Sequence, residues 1–242
     1  MTVPSSDDSV PYDGLIRGLA ADLRPVRRLP SPGRRALAWL AAVLIIALGL
    51  ALLADLPALG RRLVAAPDLL IAVVGSILTA VLAAIAAFQL SLPDGHRAWA
   101  LLPLPAALLW IIASGIGCLR SWTVADTHAA ALDEARDCLL FILAVSIPLS
   151  VLLIAMLRRA CSLQPGLTAI VAGLAAAAAA ATLLNFFHPF DAAATDLVVH
   201  VAAVALVVGA NRVLGGRLLA PANSPYSDVT GAPAPSKGKA MG

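Results

Sequence analysis

Six long runs in this chain carry little or no formal charge, and they constrain the fold more than any motif. Residues 36–54, 69–93, 98–119 and 138–157 hold no Asp, Glu, Lys or Arg. A fifth run lies within 160–190 and is best centred on 166–187; a sixth starts at Leu197 and is interrupted only by Arg212, near its far end. A helix needs about 20 mainly apolar residues to cross the hydrocarbon of a bilayer, and a helix satisfies its own backbone hydrogen bonds there. The runs predict an all-α integral membrane bundle of six transmembrane helices. Composition agrees: 60% of residues are hydrophobic and 13% charged, with a mean hydropathy of +0.90. A soluble domain is about half apolar and a quarter charged, so a water-soluble globule, a disordered chain and a disulfide scaffold are all excluded. Aromatic residues make up 5% of the chain, in Ala/Leu/Val-rich stretches, unlike the short alternating segments of a porin-type barrel. Arg34-Arg35 before the first run resembles a twin-arginine signal, but the run is too long and five more follow, so it reads as a retained span.

Basic residues on such a chain report orientation first, so the net charge of +3 gives no reason to expect direct nucleic-acid binding. Six spans put both termini on one side. With the N-terminus cytoplasmic, the inner segments hold Arg17, Arg24, Arg27, Arg28, Arg34, Arg35, Arg97, Arg158, Arg159, Arg217, Lys237 and Lys239, and the outer loops hold Arg61, Arg62, Arg120 and Arg136. Twelve against four predicts N-in and C-in. Asp126, Asp133, Glu134, Asp137, Asp191 and Asp196 then face outward, and short hairpins join the spans.

The spans lack the mid-membrane ionisable groups usual in pumps and transporters. Arg212 sits near the inner end of the last span, where it can snorkel. Pro103, Pro105 and Pro148 can kink their helices, and Asn185 and Asn211 are expected to hydrogen-bond between helices. The fifth span carries Gly173-Leu174 and then seven alanines, Ala175 to Ala181, which suits tight packing inside the bundle. No internal repeat, nucleophile elbow, HExxH or phosphate loop is present, so neither an inverted-repeat transporter nor an enzyme gains support.

Residues 1–35 form a cytoplasmic arm. Asp13 can cap a helix starting at Gly14. Leu15, Leu19, Leu23 and Val26, with Ile16 beside them, recur at helical spacing, and Pro25 should end or kink the helix. An amphipathic segment ahead of a first span can lie on the membrane surface, place its apolar stripe in a partner's groove or be a degenerate targeting segment.

Gly14-Leu15-Ile16-Arg17-Gly18-Leu19-Ala20, then Leu23-Arg24-Pro25-Val26-Arg27-Arg28-Leu29 with Pro30 and Pro32, resembles the start of the NrsF family, six-helix inner-membrane anti-sigma factors of proteobacteria. The resemblance continues through Cys138, Pro148, Leu157-Arg158-Arg159, Pro165, Gly173-Leu174-Ala175-Ala176 and His188, over residues 14–219. It implies that the arm holds an ECF sigma factor at the membrane, with Leu15, Ile16, Leu19, Leu23 and Val26 as the contact stripe and Arg27 and Arg28 at its end. The alternative is a small transporter or channel component whose N-terminal helix lies on the membrane surface.

The topology puts Cys118, Cys138, His128, His188 and His200 at the outer face, with Cys161 inside. Cysteine, histidine and carboxylate together can bind a soft metal or respond to oxidant. Solvated loop carboxylates and a His200 resting at the interface would look the same in the sequence. By the resemblance, one family cysteine opens span four, which Cys138 matches. Another follows a histidine in the last outer loop, where this chain reads His188-Pro189-Phe190-Asp191 without a cysteine. Sensing then falls to Cys138 with His188 and Asp191 on a transient metal ion, or to a Cys118–Cys138 disulfide, which needs Cα atoms within about 7 Å. No resident cofactor is expected. Residues 36–219 make up the membrane domain, and the Ala/Pro/Ser/Gly-rich residues 220–242 read as a disordered cytoplasmic tail.

Overall fold

A computed structural model describes residues 10–21, 29–123, 132–160, 162–187 and 194–219. The chain divides into two compact units, Met1–Pro30 and Ser31–Gly242. The first unit contains α1 (Val10–Ala21). This helix starts a turn earlier than the sequence suggested. Asp13 therefore lies inside the first turn, where its carboxylate faces the positive end of the helix dipole, rather than capping from outside.

Every regular element among the described residues of the second unit is a helix. It comprises α2 (Pro32–Ala51), α3 (Leu56–Ala65), α4 (Pro67–Leu90), α5 (Leu104–Thr123), α6 (Leu132–Leu157), α7 (Pro165–Leu184), α8 (Ala194–Ala210) and the single turn α9 (Gly216–Leu219). Six helical stretches are long and apolar enough to cross a membrane: Pro32–Ala51, Pro67–Leu90, Arg97–Ile116, Arg136–Leu157, Pro165–Leu184 and Val198–Leu219. Proline sets several of the starts. Pro32, Pro67 and Pro165 each stand at the beginning of a helix, where the missing N–H costs nothing and the fixed φ suits helix entry.

Three details depart from the sequence expectation. The first span begins at Pro32, so Arg34 and Arg35 lie within it. The third is not one continuous helix: a 3-10 turn (Arg97–Leu101), started by the His96 Nδ1 accepting from the Ala98 amide at 3.2 Å, precedes α5. Pro103 breaks the path there because it cannot donate the next helical bond. The connection after the first span, expected to be a short hairpin, contains α3. Its Asp55 cap accepts from the Ala58 amide at 2.9 Å and Pro57 sits in its first turn, which together start a helix too short to be read from hydrophobic runs.

The bundle is organised around α7, which packs against α4, α6 and α8; α4 also packs on α5, and α2 lies against α4 and α6. Ala175 to Ala181 are each no more than 5% exposed, so the polyalanine run is the packing surface that the sequence predicted. Small residues let helix backbones approach closely. A Cβ added at Gly75 on α4 would lie 2.9 Å from the Trp110 backbone nitrogen of α5, and one at Gly173 on α7 would lie 2.9 Å from the Asn211 Cβ. The outer surface is the reverse. Leu44, Ile45 and Leu48 of α2, Ile111, Ile112 and Ile116 of α5, and Ile147 and Val151 of α6 are exposed, a ring of aliphatic side chains suited to lipid.

Buried polar groups tie the helices together. Ser76 and Thr182 hydroxyls bond across α4 and α7 at 2.9 Å. At the end of α4, the Leu90 carbonyl accepts from the Ser162 and Thr168 hydroxyls at 3.3 and 3.4 Å, satisfying one of the terminal acceptors that a helix leaves open. Asn211 donates to the Ser150 Oγ of α6 at 3.0 Å, as expected for an interhelical amide. Asn185 does not behave this way. Its amide donates to Ala181 and Thr182 carbonyls of its own helix at 3.0 and 3.2 Å, because it sits at the α7 terminus where those carbonyls are within reach.

The close α4–α5 crossing yields a direct test. Gly75→Ala places a methyl against backbone that cannot rotate away and should cost about 1–3 kcal/mol. Gly49→Ala, with nothing within 4 Å of the added Cβ, should be neutral or slightly stabilising through helix propensity. Thermal unfolding of the two variants in the same detergent reads the difference; equal melting temperatures would show that the crossing is loose.

Candidate functional site

Cys138 lies in the second turn of α6 and is 3% exposed. Its surroundings are apolar: Ile142 of α6, Ala180 and Leu184 of α7 and Ala203 of α8 form one buried cluster with it, with Leu139, Phe141 and Val145 against them. Phe141 and Phe187 rings meet at 5.9 Å between centroids and 52° between planes. Into this apolar setting α8 brings one polar ring. The Cys138 Sγ is 3.7 Å from both Nδ1 and Nε2 of His200, and His200 is half-buried.

A thiol next to an imidazole is a chemically competent pair. The ring can exchange a proton with the sulfur, and thiolate and imidazole are both donors for zinc-like and softer divalent cations. Among the described residues no group of three or more His, Cys, Asp or Glu is placed to hold a metal ion. Two donors are therefore in place, and further donors would have to come from elsewhere.

Cys138 stands out in the sequence, whereas His200 there fits a sensing cluster and a plain interfacial position equally. The signal that pairs them was available. The fourth and sixth spans run in the same direction, so residues near their starts lie at the same depth. Cys138 opens the charge-free run of one and His200 lies three residues after Leu197 in the other. His188 and Asp191, the partners expected from the sequence, lie outside the described residues, as does Cys161. Cys118 falls on α5, with its side chain also outside the described set.

In the arm, α1 carries Leu15, Ile16 and Leu19. Ile16 is 60% exposed, an apolar side chain left open to a partner or a membrane. Leu23, Val26, Arg27 and Arg28 lie outside the described residues. Gly14 and Gly18 stand four residues apart on α1, and an added Cβ at either would meet nothing within 4 Å among the described residues.

A second polar centre was not anticipated. Arg35, on the first turn of α2, is 6% exposed. Its Nη1 donates to the Ser91 Oγ at 3.4 Å, its Nη2 donates to the Met156 carbonyl, and its Cζ lies 4.8 Å from the Phe88 ring centroid. One turn further on, the buried Trp39 Nε1 donates to the Leu149 carbonyl of α6 at 3.2 Å. The charge count had placed Arg35 in a solvated arm. The pairing of its guanidinium with acceptors on α4 and α6 draws it inward instead.

A family model described as negative regulator of sigma F matches residues 19–220, from Leu19 in α1 to just beyond the last helix. No curated protein and no solved structure matches the chain. The match covers most of the 242 residues, including all six helical stretches long and apolar enough to cross a membrane. The chain belongs to the NrsF family, negative regulators of a sigma factor.

Proposed function

We propose that this protein is an inner-membrane anti-sigma factor that holds an ECF sigma factor at the cytoplasmic face and releases it on a periplasmic metal or oxidative signal. The observation that carries the reading is the family match, which spans residues 19–220, from Leu19 of the arm through all six apolar helices. Both termini are cytoplasmic in this reading, as the excess of arginine on that side favours. Reporter fusions after residue 130 should then read periplasmic, and fusions after 162 and 235 cytoplasmic; the reverse pattern would put Cys138 and His200 on the wrong side for a periplasmic signal.

The arm binds the sigma factor through Leu15, Ile16, Leu19, Leu23 and Val26, with Arg27 and Arg28 at the end of the stripe. Two physical features support coupled folding and binding. α1 has 12 residues, below the length at which isolated helices are stable in water. Gly14 and Gly18 each weaken it by about 1 kcal/mol relative to alanine. A partner that buries the leucines supplies what the isolated helix lacks. The buried, alanine-packed α7 offers no support to the transporter alternative.

Burial of one leucine is worth about 1.5–3 kcal/mol, and an unpaired carboxylate in its place adds a desolvation cost. Leu19→Asp or Leu23→Asp in the full-length protein should therefore weaken capture of its sigma factor by about tenfold or more and leave the regulon on without stress. Repression that persists at normal protein level would mean that the stripe binds membrane.

At the outer face, Cys138 and His200 form the core of the sensor. A thiophilic divalent cation is the signal that fits thiolate plus imidazole, and His188 and Asp191, just before α8, are the candidates to complete its coordination. Cys138→Ser and His200→Ala should each raise the cadmium concentration for half-maximal induction by at least about tenfold without lifting basal repression. Cys118→Ser should be silent. If instead Cys118→Ser copies Cys138→Ser and a non-reducing gel shows an oxidised form, the switch is a disulfide. Normal induction in Cys138→Ser would reduce the position to packing.

A further inference from the structure

α6 is held from two sides at three depths. Near its start, Cys138 meets His200 of α8. At mid-length, the Asn211 amide, on a π-helical turn (Asn211–Gly215) that continues α8, donates to Ser150, and the Trp39 indole of α2 donates to the Leu149 carbonyl. At its end, Arg35 of α2 donates to the Met156 carbonyl. Its contacts to α8 therefore lie in the outer half and middle, and its contacts to α2 in the middle and inner end.

The middle of α6 is also its weakest point. Pro148 lies inside the helix and has no N–H for the carbonyl one turn before it, which loosens the ladder and permits bending. Two residues earlier, the Ser146 Oγ is buried with no hydrogen-bond partner among the described residues. A π turn in the facing helix is a second local departure from regular geometry, of a kind that recurs at functional sites.

Arg35 has the character of a contact that can be exchanged. Burying a guanidinium is expensive unless its charge is compensated. Among the described residues its partners are a hydroxyl, a carbonyl and an aromatic face, none of them a carboxylate. It stands three residues inside the start of α2, so the competing arrangement, with the guanidinium snorkelled to headgroups and water, is a short movement away. An apolar residue would fill the space without offering that second state.

We propose that α6 is a hinged lever, with Arg35 and Trp39 as its grip on α2. A change at Cys138–His200 moves the outer half about Pro148. The inner half carries the Leu149 and Met156 carbonyls with it, and α2 follows through Trp39 and Arg35. The chain then runs directly from α2 through Ser31 and Pro30 into the arm. The inference rests on the reading of Cys138 as sensor and the arm as sigma-binding element, and names Arg35 and Trp39 as the positioning residues between them.

The test uses the full-length protein in lipid nanodiscs and reads amide exchange over residues 29–40. The outer end is perturbed in two independent ways, by cadmium and by Cys138→Phe. In the wild-type background each should change exchange at the start of α2 by about fivefold or more, the range of ordinary coupling energies. In Trp39→Phe, which keeps a large ring and removes the donor, and in Arg35→Gln, cadmium should bind with unchanged stoichiometry while the response at α2 falls below about twofold. Full response in both variants would overturn the proposal, as would an unchanged α2 in the Cys138→Phe protein. If Cys138→Phe moves α2 and cadmium does not, the lever stands and the metal-sensing reading falls. Should Arg35→Gln fail to fold, Trp39→Phe carries the test alone.

Discussion

Six helical stretches long and apolar enough to cross a membrane set the terms of this architecture, because peptide groups in hydrocarbon have no water to turn to. Each of the six spans must close its own hydrogen bonds, which fixes the elements as helices before any tertiary contact is considered. What remains to be decided is how the helices meet, and lipid removes the usual answer, because burying leucine against leucine gains little over leucine against acyl chain. Close approach takes its place. α7 presents alanine from Ala175 to Ala181 to its neighbours, and Gly75 and Gly173 allow backbones within a methyl's width of each other. The large aliphatic side chains are left to the outside, the inverse of a soluble core.

Against this background buried polar side chains are conspicuous, and most of the described contacts they make between elements fall into two groups. Ser76–Thr182 and the Ser162, Thr168 and Leu90 cluster satisfy helix ends or link α4 to α7, and they read as fasteners of the central pair. The others gather along α6: Cys138–His200, Ser150–Asn211, Leu149–Trp39 and Met156–Arg35. α6, which carries Cys138, is thus joined to α2 and α8 by polar contacts as well as to α7 by packing.

Much of this was legible in the sequence, and the parts that were not share a cause. Span number, helical class and the packing role of the alanine run depend on composition over twenty residues, which a sequence displays directly. α3 was missed because ten residues held by an Asp55 cap and Pro57 leave no mark on a hydropathy average. Asn185 was misread because an amide near a helix end has its own carbonyls in reach, a matter of one residue's position. Arg35 was counted with the arm because a charge beside an apolar run normally belongs to the interface. Only the acceptors on Ser91 and Met156, distant in sequence, explain its burial. His200 was the recoverable miss, since the parallel direction of the fourth and sixth spans already set it level with Cys138.

The energies involved suit the switch proposed above. An anti-sigma arm that is fully competent to bind, and becomes competent one-tenth of the time after a signal, loses tenfold in apparent affinity, or about 1.4 kcal/mol. That is the size of a single neutral hydrogen bond, about 0.5–1.5 kcal/mol, and less than the about 1.5–3 kcal/mol of one to a charged group. The Trp39 bond to Leu149 is of the first kind and the Arg35 bond to Met156 of the second. A bundle locked by alanine packing throughout could not be shifted by so little. One whose arm-bearing helix is attached to α6 through two such bonds needs only to lose or re-form them, and the rest of the bundle can stay as it is.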